Sequence, residues 1–338
     1  MSRTPPELVL HGGNLDAARA KFPNAPEPWI DLSTGINPNS YRLPNLDADA
    51  WSRLPQHSAE QALRQAAARR YRARDSAMVV CAPGTQALIQ ILPRLIAPTR
   101  VAVISPTYAE HAIAWHREGH DVAEVSSISS IGTARVVVLV NPNNPTGHLT
   151  PPNELRTLAG KLHARDGLLV VDEAFADVLP AEASIVLDLP VATIVLRSFG
   201  KMYGLAGLRL GFAISHGAIA ERLRGALGPW AVAGPALSIG AAALADDQWL
   251  NISLRELEQG RQRLDALLKA IRCEIVGGTL LFRLVRRATA QHLADRLGSH
   301  GIHVRRFREQ PEWLRFGLPG NEPAWQRLEH ALQAEGLA

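Results

Sequence analysis

Five short apolar runs punctuate the first 200 residues, each closed by a small or polar turn. They are Met78-Val79-Val80-Cys81, Arg100 to Ile104, Val136 to Val140, Leu168 to Val171 and Thr193 to Leu196. A strand with one wet face alternates apolar and polar side chains. These runs are apolar on both sides, so both faces must be covered. Amphipathic stretches such as Gln86 to Leu95 lie between them, which predicts a mostly parallel sheet sandwiched between helices.

The chain of 338 residues exceeds what one core usually holds, roughly 250–300 residues, so two domains are expected. Residues 1–30 are Pro-rich and read as an extended N-terminal arm. Residues 31–225 carry the strand–helix alternation and form the predicted large domain. Beyond Gly225 a long helical stretch, about Pro235 to Arg272, leads into shorter alternating pieces, so 226–338 is the predicted smaller α+β domain.

In a parallel α/β sheet, ligands bind outside the carboxyl ends of the strands, so the turns there are the first places to look. Gly84-Thr85 opens a helix, where backbone N–H groups suit a phosphate, although most such turns are only turns. Asn141-Pro142-Asn143-Asn144-Pro145-Thr146-Gly147 is either a tight turn or a rigid mount for an amide. Asp172 follows an apolar strand directly. It is either a helix cap or a carboxylate paired with a protonated ring nitrogen, because burying it without a partner is costly. Lys201 ends Ser198-Phe199-Gly200-Lys201 in a weakly charged, Gly-rich turn. Only four of the 36 basic residues are lysines; Lys21 lies in the arm, and Lys161 and Lys269 sit in helical patterns with polar neighbours. A desolvated lysine is nucleophilic as its free amine. A P-loop fails on spacing, since Val195 and Met202 occupy positions that need Gly and Ser/Thr.

Together these segments resemble the fold-type I pyridoxal-5'-phosphate (PLP) enzymes of the aspartate aminotransferase superfamily, over nearly the whole chain. The resemblance implies a PLP-dependent transferase-like α/β fold and a homodimer. It implies that Gly84, Thr85 and Gln86 cradle the cofactor phosphate with Ser198 and Arg209, and that Tyr108 stacks on the ring. Asn144 would meet the ring hydroxyl, Asp172 the ring nitrogen, and Lys201 would hold the cofactor covalently. Arg315 would grip the substrate carboxylate, with Arg305, His11 and Asn14 near a substrate phosphate.

Two branches compete. His11-Gly12-Gly13-Asn14, the stretch Ile30 to Pro38, and Phe175 in Asp172-Glu173-Ala174-Phe175 are similar to the threonine-phosphate decarboxylases of cobalamin biosynthesis. The nearer alternative is histidinol-phosphate aminotransferase, which usually has Tyr at the Phe175 position. Leu54 departs from the resembled enzymes, whose tyrosine there reaches the neighbouring subunit; Tyr41 is the candidate replacement.

Other function classes find less support. The net charge of +4 is spread along the chain without a basic block, which argues against nucleic acid. Cys81 and Cys273 form neither a metal-ligand spacing nor a disulfide framework. His116 and His120 are spaced for one helix face but have no third ligand in view. The first residues lack a secretory apolar stretch and no run is long enough to span a membrane, so a cytoplasmic enzyme of small phosphorylated amino acids is the expectation.

Overall fold

The computed structural model describes residues 12–336. Twelve strands occur among them: β1 (Ile30–Leu32), β2 (Val79–Ala82), β3 (Arg100–Ile104), β4 (Asp121–Val125), β5 (Val136–Val140), β6 (Leu168–Asp172), β7 (Thr193–Ser198), β8 (Gly211–Ser215), β9 (Glu274–Gly278), β10 (Arg283–Arg286), β11 (Ile302–Arg306) and β12 (Trp313–Phe316). The chain divides into two compact units. One comprises 36–261 with 277–281; the other comprises the residues up to Gly35, 262–276 and those from Phe282 on.

The larger unit is built on a seven-stranded sheet of order β2-β8-β7-β6-β5-β3-β4. Strands β4, β3, β5, β6 and β7 pair in parallel. Strand β8 runs antiparallel to both of its neighbours, β2 and β7. Val101, Val136, Val138, Val170 and Ile194 pack one face against Leu88, Ile89, Trp115 and Leu223 from the covering helices. The alternate residues Ala102, Val137, Leu169, Val171 and Val195 are equally buried. Both faces are covered, as continuous apolar runs require. Fully burying one such side chain stabilises by roughly 1.5–3 kcal/mol, so the sheet is a rigid mount for the turns at its edge.

The smaller unit holds a five-stranded sheet of order β1-β11-β12-β10-β9. Strand β1 pairs in parallel with β11, and β11 pairs antiparallel with β12.

Three expectations need correction. The stretch 226–261 groups with the large unit, and the C-terminal part of the small unit begins at Gln262, inside the helix Asp247–Ala270 rather than near residue 226. A helix connecting two units gives no composition signal at the boundary. The arm is not wholly extended: Leu15–Lys21 is helical, with Asn14 Oδ1 accepting the Ala17 N–H as an N-cap. Leu, Ala, Arg and Lys are good helix formers and a capping Asn starts them. The single long helix expected from Pro235 is two, Gly234–Leu244 and Asp247–Ala270.

Candidate active site

The ends of β5, β6 and β7 place the central residues. Asp172 closes β6 and is buried. Its Oδ2 lies 2.9 Å from His111 Nε2, while its Oδ1 accepts the Ala174 N–H at 3.0 Å. Burying a carboxylate is tolerable because both oxygens have partners. His111 sits at the start of the helix Glu110–Arg117, behind Asp172, and the sequence reading missed it. Its only sequence signal is its place one helical turn after Tyr108.

Lys201 lies in a single helical turn, Phe199–Met202, that follows β7 without a break. Its carbonyl accepts the Asn37 N–H at 2.9 Å, and the Asn37 side chain donates to the Met202 carbonyl. Gly204, at φ +66°, lets the returning chain pass: a Cβ there would stand 2.6 Å from Ser40 Cα. The Lys201 ammonium lies 5.6 Å from the centre of the buried Phe175 ring.

The expected phosphate cup is assembled from three distant segments. Gly211 pairs with Ala82 on one side and with Ser198 on the other, so Gly84-Thr85, Ser198 and Arg209 converge. Gly84 has φ +85°, and a Cβ on it would stand 2.8 Å from an Arg209 guanidinium nitrogen. Arg209 itself has φ +52°, an uncommon conformation for a non-glycine residue that the surrounding fold must enforce.

The side chain of Gln86 is occupied differently than expected. It accepts from the Tyr108 hydroxyl at 3.2 Å and donates to Glu110 at 2.7 Å, so only its backbone N–H is directed by the helix start. Asn144 sits in a loop braced by its neighbours. Asn141 exchanges two hydrogen bonds with Thr150, while Asn143 donates to Pro106 and Thr146 and accepts from Thr107.

Beside Asp172, Glu173 and Asp177 bracket the buried Arg197 at 3.1 and 2.9 Å. Arg197 also lies 4.7 Å over the Tyr71 ring. Burial raises both carboxyl pKa values while the guanidinium pulls them down. The two carboxylates outweigh the desolvation of Arg197 and hold its pKa above the ordinary value.

In the smaller unit, Arg315 on β12 stands directly opposite Arg305 on β11. Arg315 is buried, donates to the Ser33 carbonyl at 2.7 Å and lies 5.2 Å from the Phe282 ring centre. Desolvation, then repulsion from Arg305, lowers its pKa to about 9, with Asp31 opposing. Two like charges facing each other across a strand pair are destabilising unless an anion joins them. Arg306 is instead engaged by Asp295 at 2.7 Å. Asn14 is the cap described above, and His11 lies outside the described residues.

His120 is not the surface residue that its spacing suggested, and it lies beyond the helix that carries His116. His120 is buried with its Nε2 on the Pro93 carbonyl and its Nδ1 on the Thr99 N–H, which leaves no lone pair for a metal. Tyr41 is used internally: its ring meets Trp249 edge-on at 5.2 Å, and its hydroxyl points to Asp246.

A parallel sheet whose edge turns carry a lysine, a buried carboxylate and a glycine-led helix start defines a PLP-dependent transferase-like architecture. A solved structure with that architecture, histidinol-phosphate aminotransferase from Sinorhizobium meliloti in complex with pyridoxal-5'-phosphate, superimposes with a TM-score of 0.80 at 21% identity, covering 100% of this chain and 99% of that one. The family model for aminotransferase class I and II matches residues 27–334, and the chain belongs to that family. Threonine-phosphate decarboxylase of Pseudomonas aeruginosa is 41% identical over 328 residues, 96% of this chain and 97% of its own. The enzyme of the same name from a Sinorhizobium species is 41% identical over 334 residues, again 96% and 97%.

Proposed function

We propose that this protein decarboxylates L-threonine O-3-phosphate to (R)-1-amino-2-propanol O-2-phosphate, a step of cobalamin biosynthesis, with pyridoxal 5'-phosphate as cofactor. The carrying observation is the full-length 41% identity to two threonine-phosphate decarboxylases. The residues fit the cofactor. A buried carboxylate backed by His111 suits a cationic ring nitrogen, and the Gly84 backbone beside the Arg209 guanidinium suits a phosphate.

Bound there, PLP supplies an aldehyde for amine linkage and a ring that draws electrons from the substrate's central carbon. Lys201 would provide the amine that holds the cofactor, and as a free amine it would be the group able to return a proton to the substrate's central carbon. Asp172 keeps the ring nitrogen positive, and His111 fixes which way its carboxylate faces. Thr85, Ser198 and the Gln86 backbone N–H would hold the phosphate with Gly84 and Arg209, Tyr108 would supply a stacking face, and Asn144 would meet the ring hydroxyl. Arg315 would orient the substrate carboxylate as a planar fork and Arg305 would add charge for the phosphate, with Asn14 as a further candidate; His11, the other residue expected there, lies outside the described residues. Remote binding of that phosphate is available to drive the reacting bond into alignment.

We place the enzyme in the cytoplasm as a homodimer. No helix among the described residues is long and apolar enough to cross a membrane. The large unit leaves Leu43, Trp51, Leu54 and Trp230 exposed, large apolar side chains of the kind that a subunit interface covers. Sedimentation at the monomer mass would remove the dimer from this account.

An aminotransferase acting on histidinol phosphate or a similar phosphorylated amine uses the same residues. The assay that separates the two readings incubates the holoenzyme with threonine phosphate alone, and with histidinol phosphate plus 2-oxoglutarate. CO₂ release without a keto acid is expected, and glutamate formation overturns the decarboxylase. Lys201→Ala should abolish turnover, and borohydride reduction of the native protein should leave the pyridoxyl group on Lys201.

A further inference from the structure

Tyr108, Gln86 and Glu110 form a directional chain. The Tyr108 hydroxyl lies 3.2 Å from Gln86 Oε1, and Gln86 Nε2 lies 2.7 Å from Glu110 Oε2. Gln90 Nε2 reaches the same carboxylate oxygen at 3.3 Å. Gln86 and Gln90 lie one turn apart on the helix Thr85–Ile91, while Glu110 opens the helix Glu110–Arg117 and Tyr108 lies in the turn just before it, so the chain laces two site-forming turns together.

Its polarity is fixed by chemistry. An ionised carboxylate only accepts hydrogen bonds, so Gln86 must turn its NH₂ to Glu110 and its carbonyl to Tyr108. The phenol is then compelled to donate. A residue that serves only as an apolar face needs no hydroxyl, and phenylalanine would do. The Tyr108 ring is also edge-on to His111, with centroids 6.1 Å apart and planes at 86°, and His111 holds Asp172.

We propose that Glu110 is a positioning residue for the cofactor: through Gln86 it locks the rotation of the Tyr108 ring and so sets the plane on which the cofactor ring lies. This rests on the cofactor placement of the preceding section. Glu110 touches no reacting atom, and its influence passes through one amide.

The test titrates apoprotein with PLP, following the quenching of intrinsic fluorescence and the circular dichroism of the bound chromophore. Thermal unfolding of each apoprotein serves as the folding control. Glu110→Ala is expected to weaken PLP binding by about 2- to 10-fold, the range for one ordinary hydrogen bond, and to diminish the visible dichroism. Tyr108→Phe should lose a similar amount, and Glu110→Ala added to Tyr108→Phe should lose no more, because the relay is already cut. Glu110→Gln, which lets the Gln86 amide reverse while keeping the contact, should restore most of the affinity. Unchanged binding in Glu110→Ala, or losses that simply multiply in the double variant, overturns the proposal. If reduction places no pyridoxyl group on Lys201, the cofactor reading falls and the relay with it; an adduct on Lys201 with multiplying losses sinks the relay alone.

Discussion

Two arginines, Arg197 in the larger unit and Arg315 in the smaller, are buried alike and treated oppositely. Arg197 is held by two carboxylates, which lift its pKa above the ordinary value despite burial. Arg315 faces another arginine, and its pKa falls to about 9. The first is a finished structural clamp. It ties the turn carrying Asp172 and Phe175 to the strand leading to Lys201. The second faces a like charge, and in the function proposed above it is the one that meets the substrate's anionic group. Burial alone therefore does not separate structural from ligand-binding charges; their neighbours do.

The contrast breaks most visibly at Arg197. Arg197→Ala should lower the unfolding free energy in urea by about 3–5 kcal/mol, because it strands Glu173 and Asp177 in the interior. Arg315→Ala should leave the unfolding free energy unchanged or raise it, yet increase KM about 10- to 150-fold, the equivalent of losing a charge-assisted contact of roughly 1.5–3 kcal/mol. A large stability loss in Arg315→Ala would erase the distinction. Asp172→Asn bears on the intervening turn: kcat should fall with KM nearly unchanged, since a neutral amide keeps the contact to His111 and loses the charge.

Smaller effects come with pH. The pKa of Arg315 is lower folded than unfolded, so the folded chain binds fewer protons from about pH 9 up to the ordinary guanidinium range. The destabilisation it causes is complete below about pH 9 and relaxes as pH rises through that window. Anion binding follows the opposite course, and KM for the phosphorylated amino acid should climb above about pH 9. Arg197→Ala should show its penalty most at high pH. Without the guanidinium, Glu173 and Asp177 take up protons on folding, so acidification recovers part of the lost stability. A penalty independent of pH would mean that the two carboxyls stay solvated in the variant.

How far the sequence reached follows from where each signal is stored. The central parallel strands were legible because burial on both faces writes a continuous apolar run. Asp172 and Lys201 were singled out by such runs, since Asp172 follows one directly and Lys201 lies in the turn that closes another. Strand β4, Asp121–Val125, was not: it is an edge strand, partly exposed, and its Asp and Glu blur the pattern. Strand β8, Gly211–Ser215, begins with glycine and merges into the Gly-rich turn before it. Its antiparallel insertion is a tertiary fact with no local trace. His111 and Glu110 looked like ordinary helix residues, because their importance comes from partners 61 and 24 positions away. The capped helix in the arm was hidden by the prolines around it.

The position of β8 has a consequence for how the protein is made. The strand sits between β2 and β7, and Gly211 is the residue through which Ala82 and Ser198 are brought side by side. Of the seven strands in that sheet it is the last to leave the ribosome. A nascent chain can already display Asp172 and Lys201 while the seat for the phosphate does not yet exist. In the cofactor placement proposed above, capture therefore waits for the closing strand, and a ligand that binds only the completed sheet draws the population toward it by mass action.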